Sequence, residues 1–292
     1  MIARLRFFTL ICSLTLPTLL SAQGVTPAPI DQVLGRSGQK TGDVYRVSFP
    51  RTDLHVSLKE VAIKPGLALG SWAAFLGTDD NATVMGDLVL LEEELNPVIA
   101  KLRASGFEIS AVHNHLIEET PRVLFMHYMG HGPATQLATS LRAALSVSKT
   151  PLDKPAAAAD EPAPPAWVKT VEDSVGRKGT FKGGVLSYGV PRTDTITMAG
   201  MTVTPAAGVG EVINFQAADS GNVATTGDFV LIADEVNPVI SALHEHNIQV
   251  TALHSHMLTE QPRVFFMHFW CVGSPESVGA GIKAALSKVS TK

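Results

Sequence analysis

The chain has 292 residues, 45% of them hydrophobic and 17% charged, against roughly 25% charged for an average soluble protein, which excludes a disordered polyelectrolyte. Acids number 27 and bases 23, a net charge of −4, so there is no basic footprint for nucleic acid and none is expected as a partner. The length allows one large domain or two of ordinary size.

The N-terminus carries Arg4 and Arg6, an apolar run from Phe7 to Leu20, and the small residues Ser21 and Ala22. This is the layout of a secretory signal peptide, and residues 1–22 are assigned to it. The run is shorter than the roughly 20 residues of a spanning helix and Pro17 interrupts it, so no membrane span is expected. Cys12 lies inside the run rather than after it, which removes the cysteine a lipoprotein would need. The mature protein is expected to be periplasmic or secreted, with Cys271 its single cysteine and no internal disulfide.

The rest of the chain repeats itself. Residues 34–130 align with residues 175–271 at a constant offset of 141, with 30 identities in 97 pairs, 21 of them between Asn81 and His127. Between Leu54 and Asp80 there are none, so that stretch reads as scaffold whose side chains drifted. The expected organisation is a first repeat domain over 23–146, a Pro/Ala-rich linker over 147–166, and a second repeat domain over 167–292.

Each repeat opens on a matching Pro-Arg-Thr-Asp, at Pro50 to Asp53 and Pro191 to Asp194, read as a turn closed by an Arg–Asp pair. Leu88 to Leu91 suits a short buried strand. The acids at Glu92 to Glu94, followed by Asn96 and Pro97, predict a helix capped by the asparagine and stopped at Gly106, whose counterpart is Asn247. Phe107 to His115 alternates as a strand, a turn falls near Pro121, Val123 to Tyr128 forms the next strand, and Pro133 or Ser274-Pro275 opens a final helix. The expected fold is α+β, a tandem duplication of an antiparallel sheet with helices packed on one face.

The most informative motif is His113-x-His115-x3-Glu119-x7-His127, repeated as His254-x-His256-x3-Glu260-x7-His268. Residues two apart on a strand share a face, so His113 and His115 point together with Phe107, Ile109 and Ala111. A five-residue loop over 118–122 would set His113 opposite His127. Three neutral imidazoles with an open position suit a divalent transition metal, zinc best, with iron or manganese as alternatives. One lone inward histidine would more often be a satisfied core residue; the identical return of three histidines and a glutamate favours metal. Glu119 and Glu260 are the candidate catalytic bases, and Arg122 and Arg263 the candidate contacts for an anionic substrate. Asp87 and Asp228 would orient a ligand histidine or close a turn. His55, His131, His244, His246 and Cys271 are unshared between repeats and read as loop, surface or core residues. His-x-His-x3-Glu is also similar to the first metal motif of cupins, but a helix directly precedes this strand and the glycine-rich spacing is absent.

Pro50 to Asp53, Gly70-Ser71-Trp72-Ala73-Ala74-Phe75, Met85 to Leu90, Glu94 to Val98 and the block from His113 to His127 resemble the LppY/LpqO family, also called domain of unknown function 1259. The resemblance spans nearly all of the mature chain and implies an exported bacterial protein. The family's lipidation cysteine is missing, and the Trp-Ala-Ala-Phe block is not kept in the second repeat. The reading is an exported metal-binding protein, with a metal-dependent hydrolase built on three histidines and a glutamate as one function and a non-catalytic metal- or ligand-binding envelope protein as the other. Its partner would be a small molecule or an envelope component.

Overall fold

The computed structural model describes residues 24–153 and 163–292; the signal-peptide assignment and the middle of the linker lie outside them. The first repeat runs α1 (Pro27–Leu34), β1 (Gln39–Thr41), β2 (Val44–Pro50), β3 (Ser57–Leu58), β4 (Val61–Ala62), α2 (Pro65–Ala68), β5 (Gly70–Gly77), β6 (Ala82–Leu91), α3 (Glu92–Ala104), β7 (Glu108–His113), β8 (Glu119–Thr120), β9 (Val123–Gly132) and α4 (Ala134–Leu145). The second repeats this plan with α5 (Ala166–Val175), β10 (Thr180–Lys182), β11 (Val185–Pro191), β12 (Ile196–Met198), β13 (Met201–Val203), β14 (Gly210–Ala217), β15 (Val223–Leu231), α6 (Ala233–Glu245), β16 (Gln249–His254), β17 (Phe265–Gly273) and α7 (Pro275–Leu286). Each repeat builds a six-stranded antiparallel sheet, ordered β1-β2-β5-β6-β9-β7 and β10-β11-β14-β15-β17-β16. The α+β duplication with helices on one face of each sheet is therefore the observed fold. Among the described residues, no helix is long and apolar enough to cross a membrane.

Strand alternation divides every sheet into two faces. Tyr45, Val47, Phe49, Phe75, Leu88, Leu90, Met126 and Tyr128 pack beneath α1, α3 and α4, and the second repeat matches this under α5, α6 and α7. The opposite faces of the two sheets pack on each other. Val56, Leu58, Ile63 and Leu67 of the first repeat bury against Val185, Ala224 and Trp270 of the second; Ile196, Met198, Val203 and Ala207 reciprocate against Ala74, Leu76 and Met85. Each repeat thus extends a lobe over the other's sheet, in a four-layer arrangement with helices outside.

That interlock also corrects the ungapped alignment. Trp72 pairs with Asp87, but Val212 pairs with Asp228, so β5 and β14 correspond at 212 − 72 = 140 rather than 141. The shifted register equates Pro65 with Pro205, Gly70 with Gly210 and Phe75 with Phe215. Compensating one-residue changes in the flanking loops hid these matches. The segment is the interlocking lobe and its following strand rather than drifted scaffold.

The Arg51 turn is as expected and more. Its guanidinium donates to both Asp53 carboxylate oxygens, to Glu94 and to the Val89 carbonyl, all within 3.2 Å. Held there, Glu94 accepts from the Leu91 N–H at 2.9 Å and starts α3 at Glu92. Asn96 is consequently inside the helix and not its cap, and Pro97 is an interior residue; the bond it lacks would go to the carbonyl of Glu93, at the exposed end. Asn247 does take the left-handed conformation expected of it, at φ 57°.

Candidate metal centre

The histidine strands depart from simple alternation in one respect that decides the site. Ile109 pairs with Tyr128, but Ala111 pairs with His127, so a β-bulge falls at Ser110. Phe107 and Ile109 therefore face the helices, whereas Ala111 and His113 are turned to the facing sheet, as a bulge re-aims the residues beyond it. Thr251 marks the same bulge in the second repeat. The expected register is also corrected: His113 pairs with Phe125 and stands diagonal to His127, with ring centroids 5.1 Å apart.

Because both sets point between the sheets, all six histidines meet in one cluster rather than in one group of three per repeat. His113 stacks on His254 at 3.8 Å between centroids. His115 stacks on His268 at 3.5 Å and His127 on His256 at 3.6 Å. With the repeat offset of 141 these last two pairs are images of one another, so a pseudo-twofold axis passes between His113 and His254. The bulges latch the arrangement: Ser110 Oγ donates to the His256 carbonyl at 2.6 Å, and Thr251 Oγ1 to the His115 carbonyl at 2.5 Å.

Asp87 and Asp228 complete the cluster. They sit across from His127 and His268 in the β6/β9 and β15/β17 pairs, Asp87 3.7 Å from His127 Nε2 and Asp228 3.1 Å from His268 Nδ1. The ligand atoms of Asp87, His113 and His127 lie within 4.8 Å of one another, as do those of His115, Asp228 and His268, and those of His113, His254, His256 and His268. These groups could hold a metal ion.

Electrostatics keep the rings available as ligands. Burial, then the neighbouring imidazoles, lowers His113, His115, His127 and His256 far below an ordinary histidine, and burial followed by His268 brings His254 down to about 4. Burial and the charge of Asp228 push Asp87 well up, opposed by Arg46. His268 Nδ1 donates to the Gly227 carbonyl at 3.1 Å, which leaves the Nε2 lone pair pointing inward. The Nε2 atoms of all six histidines are buried without a hydrogen-bond partner.

A cavity of about 280 Å³ opens beside the cluster, reached by Asp87, Asp228, His115, His127, His256 and Arg46. Arg46 lies 4.0 Å above the Trp72 ring, and burial brings its pKa down to about 10 against the pull of Asp87 and Asp228. Its counterpart is Ser187 and that of Trp72 is Val212, so this wall of the cavity is not symmetric. Nothing in the sequence singled out Arg46; only the alternation of β2, which buries Tyr45, Val47 and Phe49 under the helices, could have set it on the facing side.

The other expected site residues lie elsewhere. Glu119 is buried and accepts from the Val123 N–H at 3.3 Å; Glu260 does the same from Val264 at 3.1 Å. Neither belongs to the ligand-atom clusters found among the described residues. Arg122 is mostly exposed and faces Glu92 at 3.8 Å. Arg263 donates to the Met257 and Leu258 carbonyls within its own hairpin. His131 bonds Thr83, and Cys271 is half-buried beside the Asn247 carbonyl.

Residues 28–147 and 169–288 each match the family described as Domain of Unknown Function (DUF1259), so the chain belongs to that family in both halves. No curated protein matches. Among solved structures, a trimeric bacterial microcompartment shell protein PduB aligns over 92% of both chains at 11% identity and a TM-score of 0.20. EtuB from Clostridium kluyveri aligns over 87% of this chain and 91% of its own, at 9% identity and a TM-score of 0.20. Likeness at that level carries no argument about this protein.

Proposed function

We propose that this member of the domain of unknown function 1259 family is an exported metal-binding protein that acts as a metal-dependent hydrolase on a small anionic substrate. One observation carries the reading: five buried imidazoles and the half-buried His254 cluster beside a cavity with all six Nε2 atoms buried and unpartnered. Burying a polar atom without a partner costs about 1–3 kcal/mol, and a divalent transition metal, zinc by preference, is the ligand that suits convergent neutral imidazoles and carboxylates. Bound there, such an ion would supply Lewis acidity and activate water near neutral pH. The chain's own part is to hold the ligands between two rigid sheets, to exclude bulk water on the buried sides, and to place Arg46 where a carboxylate or phosphate group would reach it. Glu119 and Glu260, held by backbone amides, serve to fix the hairpins. Export rests on the signal-peptide layout of residues 1–22.

Metal analysis of the purified protein, beside His113→Ala and His254→Ala, tests this. Stoichiometric metal in the wild type, a lower metal content in both variants, and chelator-sensitive hydrolysis of p-nitrophenyl phosphate or acetate esters are expected. Less than about a tenth of an equivalent after incubation with excess zinc would end the metal reading. Firm metal binding without turnover on any ester would leave a binding protein of the envelope.

A further inference from the structure

We infer that the centre holds two divalent ions, one on each side of the pseudo-twofold axis, and that each ion is bound by both repeats. The inference rests on the metal-binding reading above and concerns how many ions the cluster takes and which side chains share them. Two triads with no residue in common have ligand atoms within 4.8 Å: Asp87, His113 and His127 on one side, and Asp228, His268 and His115 on the other. The second triad already draws on both repeats, since His115 comes from the first and the other two from the second. His254 and His256 remain, and they lie within the same limit of His113 and His268. The stacking of His256 on His127, at 3.6 Å between centroids, assigns His256 to the first ion. His254 stacks on His113 across the axis, and because the pseudo-twofold carries His113 onto His254, it falls to the second ion, 4.8 Å from His268 between ring centroids.

The two sets are then Asp87, His113, His127 and His256, and Asp228, His254, His268 and His115. The pseudo-twofold carries each member of one set onto a member of the other: 87 + 141 = 228, 113 + 141 = 254, 127 + 141 = 268 and 115 + 141 = 256. Eight protein ligands exceed what a single zinc ion takes, whereas four each match it. Charge points the same way. Two carboxylates and six neutral imidazoles around two divalent ions leave a net charge of +2, and Arg46 adds another positive charge at the cavity wall. The chemical class favoured there is an anion able to bridge two cations, a phosphate ester or a carboxylate, as in two-metal hydrolytic sites.

Crossed ligation gives a test that a within-repeat arrangement fails. The metal-free full chain is equilibrated with zinc alone, and bound zinc is measured by equilibrium dialysis with elemental analysis; far-UV circular dichroism selects folded variants. Wild type should bind two equivalents. Asp87→Asn and Asp228→Asn should each bind one. His115→Ala combined with Asp228→Asn should still bind one, because both changes fall on the same ion, whereas His115→Ala combined with Asp87→Asn should bind none. The reverse result for the two double variants would overturn shared ligation and assign His115 to the ion of its own repeat. One equivalent in the wild type at saturation would overturn the two-ion inference while leaving a metal-binding protein; none would overturn both. Where the alanine variants misfold, His115→Gln in the same combinations gives the same comparison.

Discussion

The hydroxyls at the two bulges offer a direct probe of how the repeats are held in register. Thr251 is buried and its Oγ1 donates to the carbonyl of His115 across the seam at 2.5 Å. Thr251→Val keeps shape and β-branching but removes the donor, which leaves that carbonyl without this partner. A typical hydrogen bond contributes about 1 kcal/mol net, and orphaning its buried acceptor raises the cost to about 1–3 kcal/mol. Ser110→Ala removes the equivalent donor to His256, at 2.6 Å, and should cost a similar amount. Both bonds fix a histidine of the same cluster, so the double variant should depart from additivity, with a coupling above about 0.5 kcal/mol. Urea unfolding followed by far-UV circular dichroism gives the stabilities, and competition with a chromophoric chelator gives the zinc affinity, which should fall in both single variants. If Thr251→Val matches the wild type in midpoint and in zinc affinity, the bulge hydroxyls do not hold the centre and the latch is refuted.

Other consequences can be checked in the same way. Gly227 precedes Asp228 on β15, and a Cβ there would fall 1.9 Å from the Val212 carbonyl oxygen; Gly227→Ala should lose about 3 kcal/mol in urea, and a loss under about 1 kcal/mol would show that the sheet yields easily. Arg51 is fully buried against Asp53 and Glu94, so Arg51→Ala, which strands the buried Glu94 carboxylate, should cost about 3 kcal/mol; a cost near zero by the same measurement would count against its role in starting α3. Burial pushes the Glu211 carboxyl up to about 8, against the Val230 N–H and Arg192. A raised value in the folded state means that this group's contribution is present below its ordinary 4.5 and lost as pH rises through about 8. Relative to Glu211→Gln, wild type should therefore lose up to about 1.4 kcal/mol per pH unit over that window, and parallel stability curves for the two proteins would contradict this.

Much of this architecture was legible in the chain. The duplication, the Arg51–Asp53 turn, the helix stop at Asn247 and the sharing of one face by the histidines all follow from spacing and residue chemistry. What escaped has common physical causes. A bulge is one extra residue, so the alternation from Phe107 to His115 looks unbroken although its phase changes at Ser110. Compensating loop changes left the length between Asp53 and Asn81 intact and concealed that β5 matches β14 one residue out of step. The start of α3 was set by Glu94, anchored from a distant turn by Arg51, rather than by the neighbouring Asn96. Above all, each repeat carries enough histidine for a site of its own, and no local pattern announces that the two sheets will meet face to face. The contribution of Arg46 is of the same kind: its importance comes from the partner sheet.

The unequal cavity wall bears on why the two copies share one chain. If a single-repeat protein paired with itself about the same axis, whatever stood at position 46 would occur on both sides, as two arginines or two serines. A covalent tandem is free of that constraint: one copy carries Arg46 over Trp72, while the other has Ser187 and Val212 at the corresponding positions. Fusion thereby turns a palindromic centre into one with a front and a back, whose two cavity walls differ in charge and shape.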